Sequence, residues 1–318
     1  MARIRTRHIA MLASALLVLQ LTAAEALAAR KKPPQTKRQV AGKPVSNVRA
    51  KKLPPPMAAA GDRRGPGLYS SSALVLDQRN GEVLYEKNAA AVVPIASITK
   101  LMTAMVTLDA TPDLGQGIVI TQDDVDTQRH SRSRLAVGSV VSREEALLLA
   151  LMSSENRAAH ALSRNFSGGT EAFVMAMNQK AASLGMTDTR FEDPTGLSSN
   201  NVSSARDLAK MVEAAHSYPL IREFSTTTEA AVPVRGRRLE FHNTNRLVNN
   251  ASWDIGLSKT GYIHEAGKCL VMQARVEGVP TIIVLLDSAG KLTRIGDANR
   301  VKRWMENGGF AARSGSDA

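Results

Sequence analysis

Three short polar clusters in this chain carry residue types that do covalent chemistry. Ser97-Ile98-Thr99-Lys100 sets a hydroxyl and a primary amine three residues apart, and the apolar positions Ile98, Leu101, Met102 and Met105 running through it have helical spacing. On a helix, Ser97 and Lys100 then lie one turn apart on one face. An amine so placed can take the serine proton if burial or a nearby cation lowers its pKa toward neutrality. The spacing alone does not single out a nucleophile, because Ser288-Ala289-Gly290-Lys291 repeats it and Ser97 also suits a helix cap. The second cluster, Ser154-Glu155-Asn156, interrupts an apolar run with polar groups; Ser163-Arg164-Asn165 and Ser199-Asn200-Asn201 share its form. Its plain alternative is a cap for a helix starting near Ala158. The third, Lys259-Thr260-Gly261, sits inside an apolar strand signal. Glycine there lets a backbone or ligand approach the strand, and the alternative is an edge-strand lysine beside a bulge.

The elements that must carry these clusters are legible in outline. Apolar runs at 71–76 and 83–85 flank Asn80-Gly81 and predict a first β-hairpin. A helix is predicted from near Ser97. A second starts at Ser142, with Glu145 completing a capping box ahead of Leu147-Leu148-Leu149-Ala150-Leu151-Met152, apolar on all sides and therefore buried. Helical patterns follow at 171–184 and 203–216. Strand signals return at 231–234, 239–241, 255–263, 268–276 and 280–286, with a turn at Glu277-Gly278-Val279, and Leu292, Ile295, Ala298, Val301 and Trp304 mark a last amphipathic helix. Strands, helices, strands and helix in that order, with short late connections, predict an α/β fold in α+β layers. Its antiparallel sheet is shared by both chain ends and flanked by helices, beside a helical subdomain.

The 318 residues are 43% hydrophobic, 22% charged and 4% aromatic with one cysteine, which excludes a disordered chain, a collagen, a disulfide scaffold and a Cys-ligated zinc module. The net charge of +12 belongs to a tail: residues 29–66 carry eleven basic side chains and one acidic, whereas 67–318 carry 27 of each. Residues 1–28 have Arg3, Arg5 and Arg7, an apolar run over 9–24 and Ala26-Leu27-Ala28. They read as a secretory signal whose apolar run is short of the ~20 residues of a bilayer span, with a retained anchor as the alternative. Export to the periplasm follows. The Lys, Arg, Pro and Ala-rich stretch 29–66 reads as a disordered linker, either a solvated spacer or a polycation contacting anionic membrane or wall polymer. Residues 67–318 are the predicted folded domain. Its neutrality and few aromatics argue against a nucleic-acid partner. Cys269 has no disulfide partner and reads as a buried structural thiol. The histidines, including His160, His216, His242 and His264, lack close paired spacing, so no metal or other cofactor is implied.

Ser-x-x-Lys at a helix start, Ser-x-Asn after a buried helix and Lys-Thr-Gly on a late strand together form the signature shared by penicillin-binding proteins and class A β-lactamases, with Glu155 where Asp is usual. Only Ser97, Ser154 and Lys259 satisfy the order; Ser288 lies beyond Lys259. Over residues 67–318 the chain resembles the low-molecular-mass penicillin-binding proteins, the serine D-alanyl-D-alanine peptidases. The resemblance rests on Pro94-Ile95-Ala96-Ser97-Ile98-Thr99-Lys100-Leu101-Met102-Thr103, Met152-Ser153-Ser154-Glu155-Asn156-Arg157-Ala158-Ala159, Asp193-Pro194-Thr195-Gly196-Leu197 and Lys259-Thr260-Gly261-Tyr262. Glu155 is similar to the murein DD-endopeptidase group. So is the short stretch 307–318 after the last helix, where carboxypeptidase relatives usually add a β-rich domain and an anchor.

The resemblance implies a penicillin-binding protein or class A β-lactamase-like transpeptidase fold and acyl transfer on peptidoglycan peptides, with β-lactams as covalent inhibitors. Ser97 would be the nucleophile and Lys100 its base, with Lys259 helping to keep Lys100 neutral by like-charge proximity. Ser154 would relay a proton to the leaving amine and Asn156 hold the peptide amide. Lys259 and Thr260 would bind the substrate carboxylate. Gly261 completes that strand motif, and the N–H groups of Ser97 and Tyr262 would form the oxyanion hole. The leading expectation is an endopeptidase cutting cross-links. The alternatives are a carboxypeptidase trimming pentapeptides, a β-lactamase, and a non-catalytic wall-binding protein. Glu192 is followed by Asp193-Pro194-Thr195-Gly196, so the Glu-x-x-Leu-Asn stretch of class A β-lactamases is absent.

Overall fold

In the computed structural model, residues 65–290 and 292–309 are described, and the predicted signal, the predicted linker to residue 64 and the terminus from 310 lie outside them. Strand β1 (Ser72–Asp77) and β2 (Val83–Lys87) form the first hairpin. Its loop is five residues rather than a two-residue Asn-Gly turn. The Asp77 carboxylate accepts from the Arg79 N–H at 2.9 Å, and Gly81, at φ +75°, donates its N–H to the Asp77 carbonyl. Strand β3 (Val93–Pro94) leads into a 3-10 turn (Ala96–Thr99) and helix α1 (Lys100–Asp109). Strands β4 (Gly117–Val119) and β5 (Val140–Ser142) pair with each other ahead of α2 (Arg143–Met152).

The capping box on α2 forms as the sequence predicts: Ser142 Oγ accepts from the Glu145 N–H at 3.0 Å and the Glu145 carboxylate accepts from the Ser142 N–H at 2.8 Å. Helices α3 (Asn156–Arg164) and α4 (Gly169–Ser183) follow, then β6 (Val202–Ser203), α5 (Ala205–His216) and α6 (Pro219–Thr226). The last part holds β7 (Glu229–Val234), β8 (Arg237–His242), β9 (Asp254–Ile263), β10 (Gly267–Val276), β11 (Val279–Ser288) and α7 (Thr293–Glu306). Val279 opens β11 rather than sitting in the turn; Glu277 and Gly278 make that turn at positive φ.

The main sheet runs β2-β1-β11-β10-β9, antiparallel throughout, so the two ends of the described chain share it. Both faces are buried, which is why its strands read as nearly continuous apolar runs. Leu74, Ile282, Val284, Cys269 and Val271 face the core of α1 to α5. Ala73, Val75, Ile283, Leu285, Leu270 and Met272 face α7 through Ala298, Val301 and Met305. Each large side chain so buried contributes about 1.5–3 kcal/mol. The buried Asp297 of α7 accepts from the Ser70 N–H at 2.7 Å and Ser70 Oγ at 2.6 Å, tying that helix to the entry of β1. Strand β9, which carries Lys259, is an outer strand of the sheet, and its free edge packs on the 3-10 turn that carries Ser97.

Candidate active site

Ser97 lies in the 3-10 turn before α1, half-buried, and caps neither helix with its side chain. The turn is clasped from two sides by glycines. Gly196, at φ +82°, lies so close that a Cβ there would overlap the Ala96 carbonyl, and a Cβ on Gly261 would lie 2.8 Å from Ile95 O and 3.2 Å from Ser97 N. Ala96 itself is held at φ +49°, a left-handed conformation that L side chains avoid and that a site persists in only when its surroundings impose it.

Lys100 is the first residue of α1 and wholly buried. Its Nζ lies 2.9 Å from Ser97 Oγ, 2.7 Å from Asn156 Oδ1 and 2.6 Å from Thr195 O. Burial lowers its pKa to about 7, against the charges of Asp193 and Glu155, which raise it. A neutral amine has two N–H donors and one lone pair. Asn156 Oδ1 and the Thr195 carbonyl can only accept, so they take the two N–H groups, and the lone pair is left for the Ser97 hydroxyl. That arrangement is the one a general base needs beside a serine nucleophile.

Thr195 is placed by Asp193, whose carboxylate accepts from the N–H groups of Thr195, Gly196 and Ser198 at 2.6, 2.8 and 2.8 Å and from Thr195 Oγ1 at 2.5 Å. Asn201 holds this loop against the 3-10 turn, donating to Thr99 Oγ1 at 3.0 Å and to Asp193 O at 2.8 Å. Ser154 follows the end of α2 at φ +60°. Asn156 opens α3, whose N-cap is Glu155: its carboxylate accepts from the Arg157 N–H at 3.4 Å. The helix foreseen to start near Ala158 thus starts two residues earlier, at Asn156, and is capped by the variant residue of the motif. Asn156 Nδ2 donates to Ser131 Oγ at 2.9 Å.

On β9, Lys259 is buried and its Nζ donates to Ser154 Oγ at 2.8 Å and Thr260 O at 3.0 Å. Its pKa falls well below the usual lysine range, through burial first and then the charges of Lys100 and Arg294. Burial depresses both lysines, and two ammonium groups so close disfavour being charged together. For Lys100 burial is the lowering cause, and the like-charge effect of the pair falls on Lys259. Thr260 Oγ1 donates to Thr244 Oγ1 at 2.7 Å. Tyr262 is exposed at the mouth of the site, with Lys268 Nζ 3.9 Å from its ring centroid.

The three clusters converge as the sequence order requires. The competing Ser288 is buried elsewhere, its Oγ 2.7 Å from Ser70 Oγ. Cys269 is buried, and burial pushes its thiol up to about 11, as befits a structural role. Glu192 is engaged by Ser198 Oγ at 3.1 Å and Asn200 Nδ2 at 2.9 Å. A cavity of about 180 Å³ opens beside Asn156 and Thr195, bordered by Asp123, Asp126, His160 and Leu197. Thr195, Thr244, Ser131 and Arg294 escaped sequence reasoning as members of the site. Arg294 reaches from α7 to the carbonyls of Gly261 at 2.9 Å and Cys269 at 3.2 Å. Its position 35 residues beyond Lys259 carries no local signal.

This geometry sets a serine hydroxyl beside a buried lysine amine, against an outer strand of an antiparallel sheet. A family model described as D-alanyl-D-alanine carboxypeptidase matches residues 60–290, and the chain belongs to that family. It is 52% identical over 247 residues to a D-alanyl-D-alanine endopeptidase of Pseudomonas aeruginosa, covering 77% of this chain and 80% of the relative. A D-alanyl-D-alanine endopeptidase of Escherichia coli is 46% identical over 253 residues, 79% and 82% of the two chains. Among solved structures, the Streptomyces K15 DD-transpeptidase superposes with a TM-score of 0.70 at 27% identity, over 77% of this chain and 98% of that one. Penicillin-binding protein D2 of Listeria monocytogenes, in its cefotaxime-bound form, gives 0.67 at 27% identity over 74% and 97%.

Proposed function

We propose that this protein is a serine D-alanyl-D-alanine endopeptidase that cleaves the peptide cross-links of peptidoglycan and is acylated by β-lactams. The observation that carries it is the buried Lys100 amine, 2.9 Å from Ser97 Oγ with its pKa near 7 and its two other neighbours able only to accept. Ser97 Oγ attacks the D-alanyl carbonyl carbon as its proton passes to Lys100. The carbonyl oxygen gathers negative charge between the N–H groups of Ser97 and Tyr262, each donor worth on the order of 3 kcal/mol. The close approach of Gly261 to Ser97 N supports that pairing of β9 with the nucleophile turn. Collapse breaks the C–N bond, and Ser154, hydrogen-bonded to Lys259, relays a proton to the leaving amine. Water then hydrolyses the Ser97 ester.

Asn156 holds the peptide amide, and Thr260 with Lys259 takes the substrate carboxylate. With Glu192 committed to its own loop, a penicilloyl ester on Ser97 is long-lived. Residues 67–318 constitute the catalytic domain. Residues 1–28 direct export to the periplasm, and the linker to residue 66 is a basic spacer able to contact an anionic membrane or wall surface.

Endopeptidase action is favoured over carboxypeptidase action by the names of the two high-identity relatives, although the family description favours the latter. Incubating the full chain and its Ser97→Ala variant with cross-linked muropeptide dimers and monomeric pentapeptides, with products read by mass, decides between them. Dimer cleavage by the unaltered chain alone is the expected result. Release of D-alanine from pentapeptides without dimer cleavage would make it a carboxypeptidase.

A further inference from the structure

The balance of 27 basic and 27 acidic side chains over residues 67–318 hides a polarised surface. Residues 127–138 contain Arg129, Arg132 and Arg134 and no carboxylate; the β7–β8 hairpin contains Arg235, Arg237 and Arg238 against two carboxylates, Glu229, which pairs with His242, and Glu240. Distant in sequence, the two segments meet. Arg134 donates to the Glu240 carbonyl and packs 5.0 Å over the Phe241 ring, and Arg235 donates to the Val137 carbonyl. All of these arginines except Arg129 are exposed. Arg129 alone among them is ion-paired, with Glu265 at 2.9 Å. Arg134 and Arg235 brace the junction, while Arg132, Arg237 and Arg238 are left to face solvent.

This basic rim is continuous with the reaction centre. Ser131, next to Arg132, accepts the hydrogen bond that orients Asn156, and Thr244, two residues beyond β8, receives the hydrogen bond of Thr260. A substrate that fills the cleft and extends past it on this side must cross the arginines. A cross-linked polymer extends beyond the scissile bond on both sides, whereas a short peptide has little chain to reach that far.

Resting on the reading of the site given above, we propose that the rim of the 127–138 loop and the β7–β8 hairpin is a docking surface for the carboxylates of neighbouring stem peptides in insoluble peptidoglycan. Stem peptides carry carboxylates that cross-linking does not consume, so the polymer is a dense polyanion. Arginine's planar fork fits carboxylates in a bidentate way that lysine does not. The rim thereby favours polymeric over soluble substrate without touching the scissile bond.

The test compares the full chain with Arg132→Gln/Arg237→Gln/Arg238→Gln, both on a Ser97→Ala background for binding so that the polymer stays intact. Co-sedimentation with purified peptidoglycan is expected to weaken roughly tenfold at physiological salt, the scale of a few exposed charge pairs. The difference should vanish on peptidoglycan whose carboxylates have been converted to methylamides. With Ser97 present, the triple variant should digest insoluble peptidoglycan several-fold more slowly while cleaving soluble dimers and reacting with penicillin at the unaltered rate. The single Arg238→Gln should shift binding in the same direction to a smaller extent and guards against a folding defect in the triple variant. Unchanged binding to peptidoglycan overturns the proposal. So does a loss confined to vesicles of anionic phospholipid, which would make the rim a membrane contact. Failure of every form to cleave dimers, with sedimentation still dependent on the arginines, would instead overturn the enzymatic reading and leave the surface standing.

Discussion

Acidification should silence this enzyme, because the proposed base, Lys100, is a lysine whose pKa burial lowers to about 7. The neutral fraction of such an amine is about one half at pH 7, roughly a tenth at pH 6 and about 1% at pH 5. The second-order rate constant for acylation of Ser97 by a labelled penicillin should therefore level off above about pH 8 and fall roughly tenfold per pH unit below about 6. A lysine at its ordinary value of 10.5 would instead be neutral to only about 0.03% at pH 7, and the rate would climb steadily to about pH 10.

Glu155 and Asp193 raise the Lys100 pKa, so Glu155→Gln removes a charge that favours the ammonium form. The inflection should then move to lower pH and activity survive further into acid. Stopped-flow acylation in constant-ionic-strength buffers measures both curves. A rate independent of pH between about 6 and 10, or an inflection near 10, would refute Lys100 as the base. So would a shift of the Glu155→Gln inflection toward higher pH.

Gly261→Ala puts a Cβ 2.8 Å from Ile95 O, and neither backbone can yield cheaply. The expected cost is about 1–3 kcal/mol of stability and up to about a hundredfold in acylation, read by thermal melting and penicillin binding. In Asp193→Asn an N–H₂ group replaces one acceptor among the donors of Thr195, Gly196 and Ser198. Each donor left unsatisfied costs about 1–3 kcal/mol, so the melting temperature should drop and turnover fall with it as the Thr195 carbonyl leaves Lys100. The Cys269 thiol, buried and pushed up to about 11, should resist a disulfide reagent in the native chain and react fully once the chain is unfolded; rapid native reaction would contradict its burial.

Residues that must be chemically special and must fall in chain order were readable from the sequence. Ser97, Lys100, Ser154, Asn156 and Lys259 each lie in a short motif at the edge of a strongly patterned element, and the β9–β10 and β10–β11 hairpins follow from long apolar runs. Three kinds of feature were not readable. Helix α6 is short and follows α5 almost without a break, so its periodicity merges with the preceding helix. Strands β4 and β5 are three residues each, too short for alternation to register. Site partners such as Thr195, Thr244 and Arg294 act through a carbonyl, a hydroxyl and a long-range reach from α7. None of these contacts leaves a local pattern. Glu155 illustrates the mixture: the motif marked the position, and only the structure shows its carboxylate capping α3.

The most direct test of the central claim is to react the full chain with a radiolabelled β-lactam, digest it and locate the adduct by mass. A single, slowly released penicilloyl group on Ser97, lost in Ser97→Ala and strongly slowed in a Lys100→Met variant that still folds, is the predicted result. Label on Ser288 or another residue, or no covalent label on the folded chain, would contradict a serine ester formed at Ser97 with Lys100 as its base.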